Sequence, residues 1–206
     1  MTDIRIIDRL KTRLSEPLVG WEAQKRLMPE GRDKLRFPVL DELQPAAVLI
    51  ALFPKENQWC FPLIQRSVDG FAHSGQIALP GGRKEGSENA IETALREAEE
   101  EVNLAQDQVE ILGKISPLPI PVSQYIVQPI VGFLQEIPAF RPDPREVEKI
   151  FYVSLDELVS TTIQYETRFF QNREWEIPYF GIEGHKVWGA TGMILSEFRE
   201  LVTKIL

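Results

Sequence analysis

Cysteine is nearly absent from this 206-residue chain: Cys60, in the apolar run WCFPLI, stands alone. No disulfide can form within the chain, so a cytosolic setting is expected. Cys60 itself reads as a small buried apolar residue rather than a nucleophile. A basic surplus is missing too. Lysine and arginine number 23 against 31 aspartates and glutamates, a net charge of −8. Counterion release from nucleic acid needs the opposite balance, so a nucleic-acid partner is excluded. A small anionic substrate stays open, provided that metal ions stand between it and an acidic site. No stretch approaches a membrane span, and the opening MTDIRIIDRLKTRL lacks the apolar run of a secretory signal. A soluble protein without a membrane partner is expected. Internal repeats and low-complexity segments are absent as well.

What remains is ordinary globular composition, 43% apolar and 26% charged, in a chain long enough for one substantial core. Ile4–Leu14 reads as an amphipathic helix, followed by a polar connector. Ala46–Phe53 and Trp59–Ile64 are apolar runs separated by the turn PKEN, and Gln76–Leu79 is a short strand ending in Pro80-Gly81-Gly82. A helix is expected from about Glu88 to Val102, capped by Ser87 with Glu88 in its first turn. Strands at Val109–Ile115, Tyr125–Leu134 and Glu148–Val153 follow, the first two joined by the proline-rich SPLPIPVS. Ser154 is placed to cap a short helix, Leu155–Val159. A hairpin around Asn172-Arg173 and a closing helix from about Gly189 to Ile205 complete the pattern. Strands outnumber helices without strict alternation, so the fold class is α+β: a mixed sheet with helices packed on it. Residues 1–35 read as a helical extension packed on a main domain of residues 36–206.

The helix Glu88–Val102 carries the chemistry. Ile91, Leu95, Ala98 and Val102 form a narrow apolar stripe. Glu97, Glu100 and Glu101 project together, about 130° round from that stripe at 100° per residue, with no cation at the end of the helix to neutralise them. Like charges at these spacings cost roughly 0.2–0.5 kcal/mol per pair. A sequence that accepts the penalty offers its oxygens to something doubly positive, and hard oxygen donors suit Mg²⁺ or Mn²⁺. Arg96 is spaced to pair with Glu100 as well as to sit beside Glu97.

This segment resembles the box of the Nudix hydrolase superfamily: G, five residues, E, seven residues, then R-E-aliphatic-any-E-E-any-G-aliphatic. Gly82, Glu88, Arg96, Glu97, Ala98, Glu100, Glu101 and Leu104 occupy those positions, and Asn103 replaces the final glycine. Asn is the next-best residue for the left-handed turn that ends a helix, so the exchange costs no metal ligand. The resemblance implies a Nudix-type mixed sheet sandwiched by helices, with a catalytic loop-helix-loop, and hydrolysis of a nucleoside diphosphate linked to another group. It implies that Glu97 and Glu101 bind the divalent metal, with Glu100 as a further ligand or as the base for water. Arg96 would orient Glu97, and the Gly82 carbonyl would add a ligand. Which carboxylate is the base stays open, and Glu146 in PREVEK is a further candidate.

Upstream, LIQRSVDGFAHSGQIALPGG is similar to the extended signature of the coenzyme A pyrophosphatase branch, at Arg66, Ser67, His73, Gly75, Gln76, Pro80, Gly81 and Gly82. That likeness implies cleavage of coenzyme A, and of acyl-CoA, into 3′,5′-ADP and 4′-phosphopantetheine. Arg66, Ser67, Gly81 and Arg83 would contact the substrate, with Lys84 adding local positive charge. Two rival readings are an ADP-ribose or dinucleotide pyrophosphatase, for which Pro119 sixteen residues past Asn103 is a cue, and a nucleotide-binding module without turnover. A homodimer is a further expectation. Trp59, Phe140, Tyr165, Phe169, Phe170, Trp175 and Trp188 read first as core or dimer-interface aromatics and second as residues that stack on an adenine or line a pantetheine groove, without one being singled out.

Overall fold

A computed structural model describes residues 2–29, 42–67, 75–170 and 173–206, with the side chains of 170 and 173 left aside. His73 and the boundary expected at residue 35 lie outside the described residues. The centre of the fold is a mixed sheet built on β1 (Gln44–Lys55), whose register runs parallel to β7 (Tyr125–Phe133) from Gln44 opposite Tyr125 to Leu52 opposite Phe133. Both strands are continuous apolar runs because both of their faces are covered. β2 (Gln58–Arg66) folds back on the end of β1, and β8 (Val147–Ser154) pairs antiparallel along β2. β3 (Ile77–Ala78), β4 (Gly81–Arg83), β5 (Glu110–Lys114) and β6 (Leu118–Ile120) complete this sheet. β9 (Ile163–Phe170), β10 (Arg173–Ile182) and β11 (His185–Trp188) form a second, three-stranded sheet. The hairpin of β9 and β10 matches the expectation from sequence; β11 goes beyond it.

Helices cover both faces. On one, α1 (Arg5–Leu14) and α5 (Gly189–Thr203) bury Ile7, Leu10, Leu14, Ile194, Phe198 and Leu201 against the sheet. The N-terminal segment is therefore part of the main core. The helical turn α2 (Trp21–Gln24) is held by α5, where the buried Glu197 accepts hydrogen bonds from the Gly20 N–H (2.9 Å), the Ser116 hydroxyl (2.7 Å) and the Gln24 amide (2.8 Å). On the other face α3 (Ala90–Val102) lies over β1 and β7, and α4 (Leu155–Ser160) closes the end of β8 with Ser154 as its cap, as expected. Among the described residues no helix is long and apolar enough to cross a membrane.

Two expectations about α3 are corrected. Its cap is Asn89 rather than Ser87: the Asn89 side chain accepts from the Ile91 and Glu92 N–H groups while Glu92 reaches back to the Asn89 N–H, a reciprocal box. Glu88 consequently lies before the helix and not in its first turn. The packed arc also differs, running through Thr93, Ala94, Ala98, Glu101 and Val102, with Ile91 and Leu95 half-buried at its margin. Two alanines let the helix approach the sheet closely. That contact turns Glu97 and Glu101 into the interior instead of away from it. Asn103 ends the helix at φ 57°, in the left-handed conformation expected of it.

Candidate active site

The site forms where β4 crosses the start of β1 and the last turns of α3 lie over both. Ala46, Ala47 and Val48 face Arg83, Gly82 and Gly81 in antiparallel register. Gly81 has φ 150°, and a Cβ there would stand 2.3 Å from the Ala47 carbonyl oxygen. No other residue fits so flat a crossing. A Cβ on Gly82 would lie 2.5 Å from the Glu97 carboxyl carbon, so Glu97 packs directly on bare backbone.

Glu101 is 1% exposed. One of its oxygens accepts from the Gly81 N–H at 2.9 Å and the other from the Arg66 guanidinium at 3.1 Å. Burial pushes its pKa up to about 7; the Gly81 and Arg66 donors oppose that rise, and the charges of Glu97 and Glu146 add to it. Glu97 is also raised by burial, against the pull of Arg96. Arg96 is the hub of the site. It donates to Glu88 at 2.7 Å, to Glu100 at 2.9 Å and to the Arg83 carbonyl at 3.0 Å, and lies 2.9 Å from Glu97. The Glu88 carboxyl is held down to about 2, first by Arg96 and then by the Glu85 N–H.

The carboxylates thus do have cations, contrary to the sequence reading: Arg96 from their own helix and Arg66 from β2, 35 positions away in the chain. Two pairings were legible, Arg96 beside Glu97 and Arg96 with Glu100. The Arg66–Glu101 contact was not, because nothing local signals it. Glu88, taken as a first-turn charge, anchors Arg96 through a bond that spans the entry to the helix.

Around these groups is a polar chamber of about 300 Å³, lined by Arg66, Gly81–Arg83, Glu85, Arg96, Glu97, Glu100, Glu101 and Glu146. Glu146 arrives on a loop fastened to the end of α3, where the Arg141 N–H donates to the Val102 carbonyl and the Asp143 N–H to the Glu101 carbonyl. The Ser67 N–H donates to the Glu146 carbonyl at 2.9 Å, placing Ser67 behind the chamber. Arg83 reaches into solvent beside Glu85. A groove of about 410 Å³ opens from the chamber, sharing Arg66 and Gly81–Arg83 with it and continuing along Val48, Ile77, Ile120, Tyr125, Trp188 and Ile194. Of the aromatics noted in the sequence, Trp188 is the one that lines this groove among the described residues; Tyr125 joins it. Among the described residues no group of three or more His, Cys, Asp or Glu side chains is arranged to hold a metal ion. The carboxylates are instead engaged by Arg96 and Arg66.

A family model for the NUDIX domain matches residues 43–175, which contain every residue lining the chamber. The chain belongs to the Nudix hydrolase family. Among curated Nudix relatives, it is 35% identical to an uncharacterized Nudix hydrolase, NudL, of Photorhabdus laumondii, over 79% of this chain and 87% of that one. It is 32% identical to Nudix hydrolase 15, mitochondrial, of Arabidopsis thaliana, over 84% of this chain and 62% of that one. In fold it is similar to the crystal structure of RenU, a Nudix hydrolase from M. smegmatis. The TM-score is 0.54 at 18% identity, covering 79% of this chain and 88% of that one. The Nudix fold expected from the box is therefore the fold observed.

Proposed function

We propose that this Nudix hydrolase cleaves the diphosphate of coenzyme A, and of its acyl esters, into 3′,5′-ADP and 4′-phosphopantetheine. The observation that carries the reading is the junction at Arg66 and Gly81–Arg83, where an acidic chamber meets a largely apolar groove. The coenzyme A-type signature, from Arg66 to Gly82, supplies the residues of that junction. A diphosphate bridging the two spaces would set its charge in the chamber and one arm of the substrate in the groove.

The donors are of the kind that suits Mg²⁺ or Mn²⁺, although among the described residues they are not gathered as a metal site. Glu97, Glu100 and Glu101 offer hard oxygens, the resemblance adds the Gly82 carbonyl, and burial pushes Glu97 and Glu101 toward the uncharged form, a shift that a bound cation would oppose. When bound, the ion neutralises the diphosphate and lowers the pKa of an attacking water. The chain's own groups do the rest. Arg96 orients Glu97 and Glu100, and the Gly81 N–H and Arg66 fix Glu101. Arg66 and Arg83 border the space where phosphate oxygens would lie, while Ser67, expected there from the signature, stands behind it. Glu100, exposed on the helix, and Glu146 on the facing loop are the two candidates for accepting a proton from water. A cytosolic setting accords with the lone buried thiol.

Incubation with coenzyme A and Mn²⁺, followed by mass spectrometry, should yield both products. Intact coenzyme A beside rapid cleavage of ADP-ribose or a dinucleotide would reject the assignment in favour of the second reading, for which Pro119 in β6 is the cue. Tight nucleotide binding with no turnover in excess Mg²⁺ would favour a sensor module instead.

A further inference from the structure

Among the described residues β9 is an edge, paired with β10 on one side alone. Natural proteins blunt such edges with charged side chains, proline, bulges or very short strands, and the charges on β9, Glu166 and Arg168, are of opposite sign and already held within the chain. β9 has no proline, no bulge and no shortness: eight residues, IQYETRFF, run without a shift in register. Tyr165 and Phe169 stand 59% and 71% exposed on it. Strand alternation puts Tyr165, Thr167 and Phe169 on one face and Glu166 and Arg168 on the other.

We propose that β9 pairs antiparallel with β9 of a second copy of this chain, about a two-fold axis passing at Thr167. The register follows from pairing rules and charge. A symmetric antiparallel pair must be centred on a residue, because opposed residues turn their backbone groups either both toward the partner or both away. Centring on Glu166 or on Arg168 sets like charges face to face, which is destabilising. Centring on Tyr165 opposes Gln164 to Glu166 and leaves Phe169 without an aromatic partner. Centring on Thr167 sets Tyr165 against Phe169 of the second copy and Glu166 against Arg168 of the second copy. Symmetry repeats both pairs, as in any isologous contact.

Within one strand Arg168 already lies 3.1 Å from Glu166. Lys186 of β11 holds the other oxygen of Glu166 at 3.0 Å, so each copy would bring two cations and one carboxylate to this face, and the cross-strand pairs of Glu166 with Arg168 would add a second arginine to each carboxylate. The Arg168 guanidinium also lies over the Trp188 ring, 5.0 Å from its centroid. Trp188 lines the apolar groove, so the contact between copies would brace one wall of each site.

The full chain should show a mass in sedimentation that climbs from one copy toward two with concentration. Glu166→Arg and Arg168→Glu each set like charges opposite, and each alone should weaken association at least tenfold. Mixed in equal amounts, the two variants regain complementary pairs, and native mass spectrometry should show dimers containing one of each. Thr167→Cys tests the axis itself. Opposed Cα atoms stand about 4.5–5.5 Å apart, inside the roughly 4.4–6.8 Å that a disulfide spans, and Cys60 is buried. Mild oxidation should link two copies of that variant. Phe169→Cys should stay unlinked, its thiols lying about 13 Å apart along the strands. A single-copy mass up to millimolar concentration, charge variants that associate as tightly as the parent, or faster linkage of Phe169→Cys than of Thr167→Cys would overturn the proposal.

Discussion

The Arg66 guanidinium of β2 meets the Glu101 carboxylate of α3 at 3.1 Å, and the carboxylate's other oxygen is fixed by the Gly81 N–H at 2.9 Å. Strand, glycine loop and helix are thus joined through one buried side chain. Its negative charge is costly there, and burial already pushes its pKa upward. Glu101→Gln keeps an acceptor for Gly81 and removes the charge. Hydrolysis should fall by about 100-fold or more, while the thermal midpoint stays near that of the parent. Near-normal turnover in the variant would remove Glu101 from the metal-binding set.

The same buried carboxyl should titrate far from an exposed glutamate. Its folded pKa of about 7 lies above the ordinary 4.5, so folding favours the protonated form. The stability this group contributes is fully present below pH 4.5 and is lost as pH rises through about 7. Added Mg²⁺ should draw the titration down, because a cation favours the ionised form. Carbon NMR of the Glu101 carboxyl can follow both. A midpoint at 4.5, or one that Mg²⁺ leaves unmoved, would contradict the picture.

Much of this site was legible in the sequence because its parts are local. Gly82, Glu88, Arg96, Glu97, Glu100 and Glu101 lie within twenty residues, and the left-handed turn at Asn103 followed from the residue type. The buried face of α3 was misread because apolar size was taken as the guide, whereas Ala94 and Ala98 set the approach and carry the glutamates inward. The cap was legible in principle, since Asn89 and Glu92 have the spacing of a reciprocal box. The contacts of Arg66 with Glu101, and of Gln24 and Ser116 with Glu197, join distant segments. Hydrophobic period and charge spacing carry no trace of such pairs.

Arg96 and Glu88 form the site's acid-sensitive bond. The folded pKa of Glu88, about 2, lies below its ordinary value of 4.5. The pair therefore supports folding above pH 4.5 and loses that support as pH falls toward 2, the reverse of Glu101. Glu88→Gln should flatten the loss of stability between pH 4.5 and 2, as read by urea unfolding at stepped pH. In activity it should act through Arg96, lowering kcat more than it raises KM. An acid limb as steep as the parent's would show that Glu88 is not the responsible group.

Gly81 and Gly82 should tolerate alanine differently. At Gly81 the new methyl meets backbone, the Ala47 carbonyl oxygen at 2.3 Å and the Val48 Cα at 2.5 Å. Neither can move without breaking the β1–β4 register, so the fold should lose several kcal/mol or fail to form. At Gly82 the methyl meets only the Glu97 carboxylate, which can swing away. Gly82→Ala should fold with a small loss of stability and lose most of its activity. Equal melting midpoints for the two variants would refute this division.

Glu197 fastens the N-terminal segment to the core. Its carboxylate is fully buried and takes three donors, from Gly20, Gln24 and Ser116. Glu197→Leu is close in size yet strands all three, and each unsatisfied buried donor costs about 1–3 kcal/mol. The segment around α2 should then detach from α5 before the sheet unfolds. Hydrogen exchange would report it as faster deuterium uptake at residues 20–24, with β1 and β7 still protected. Uniformly faster exchange throughout the chain would mean that the clamp and the sheet fold as one unit, and unchanged uptake at Gly20 would mean that Glu197 holds nothing.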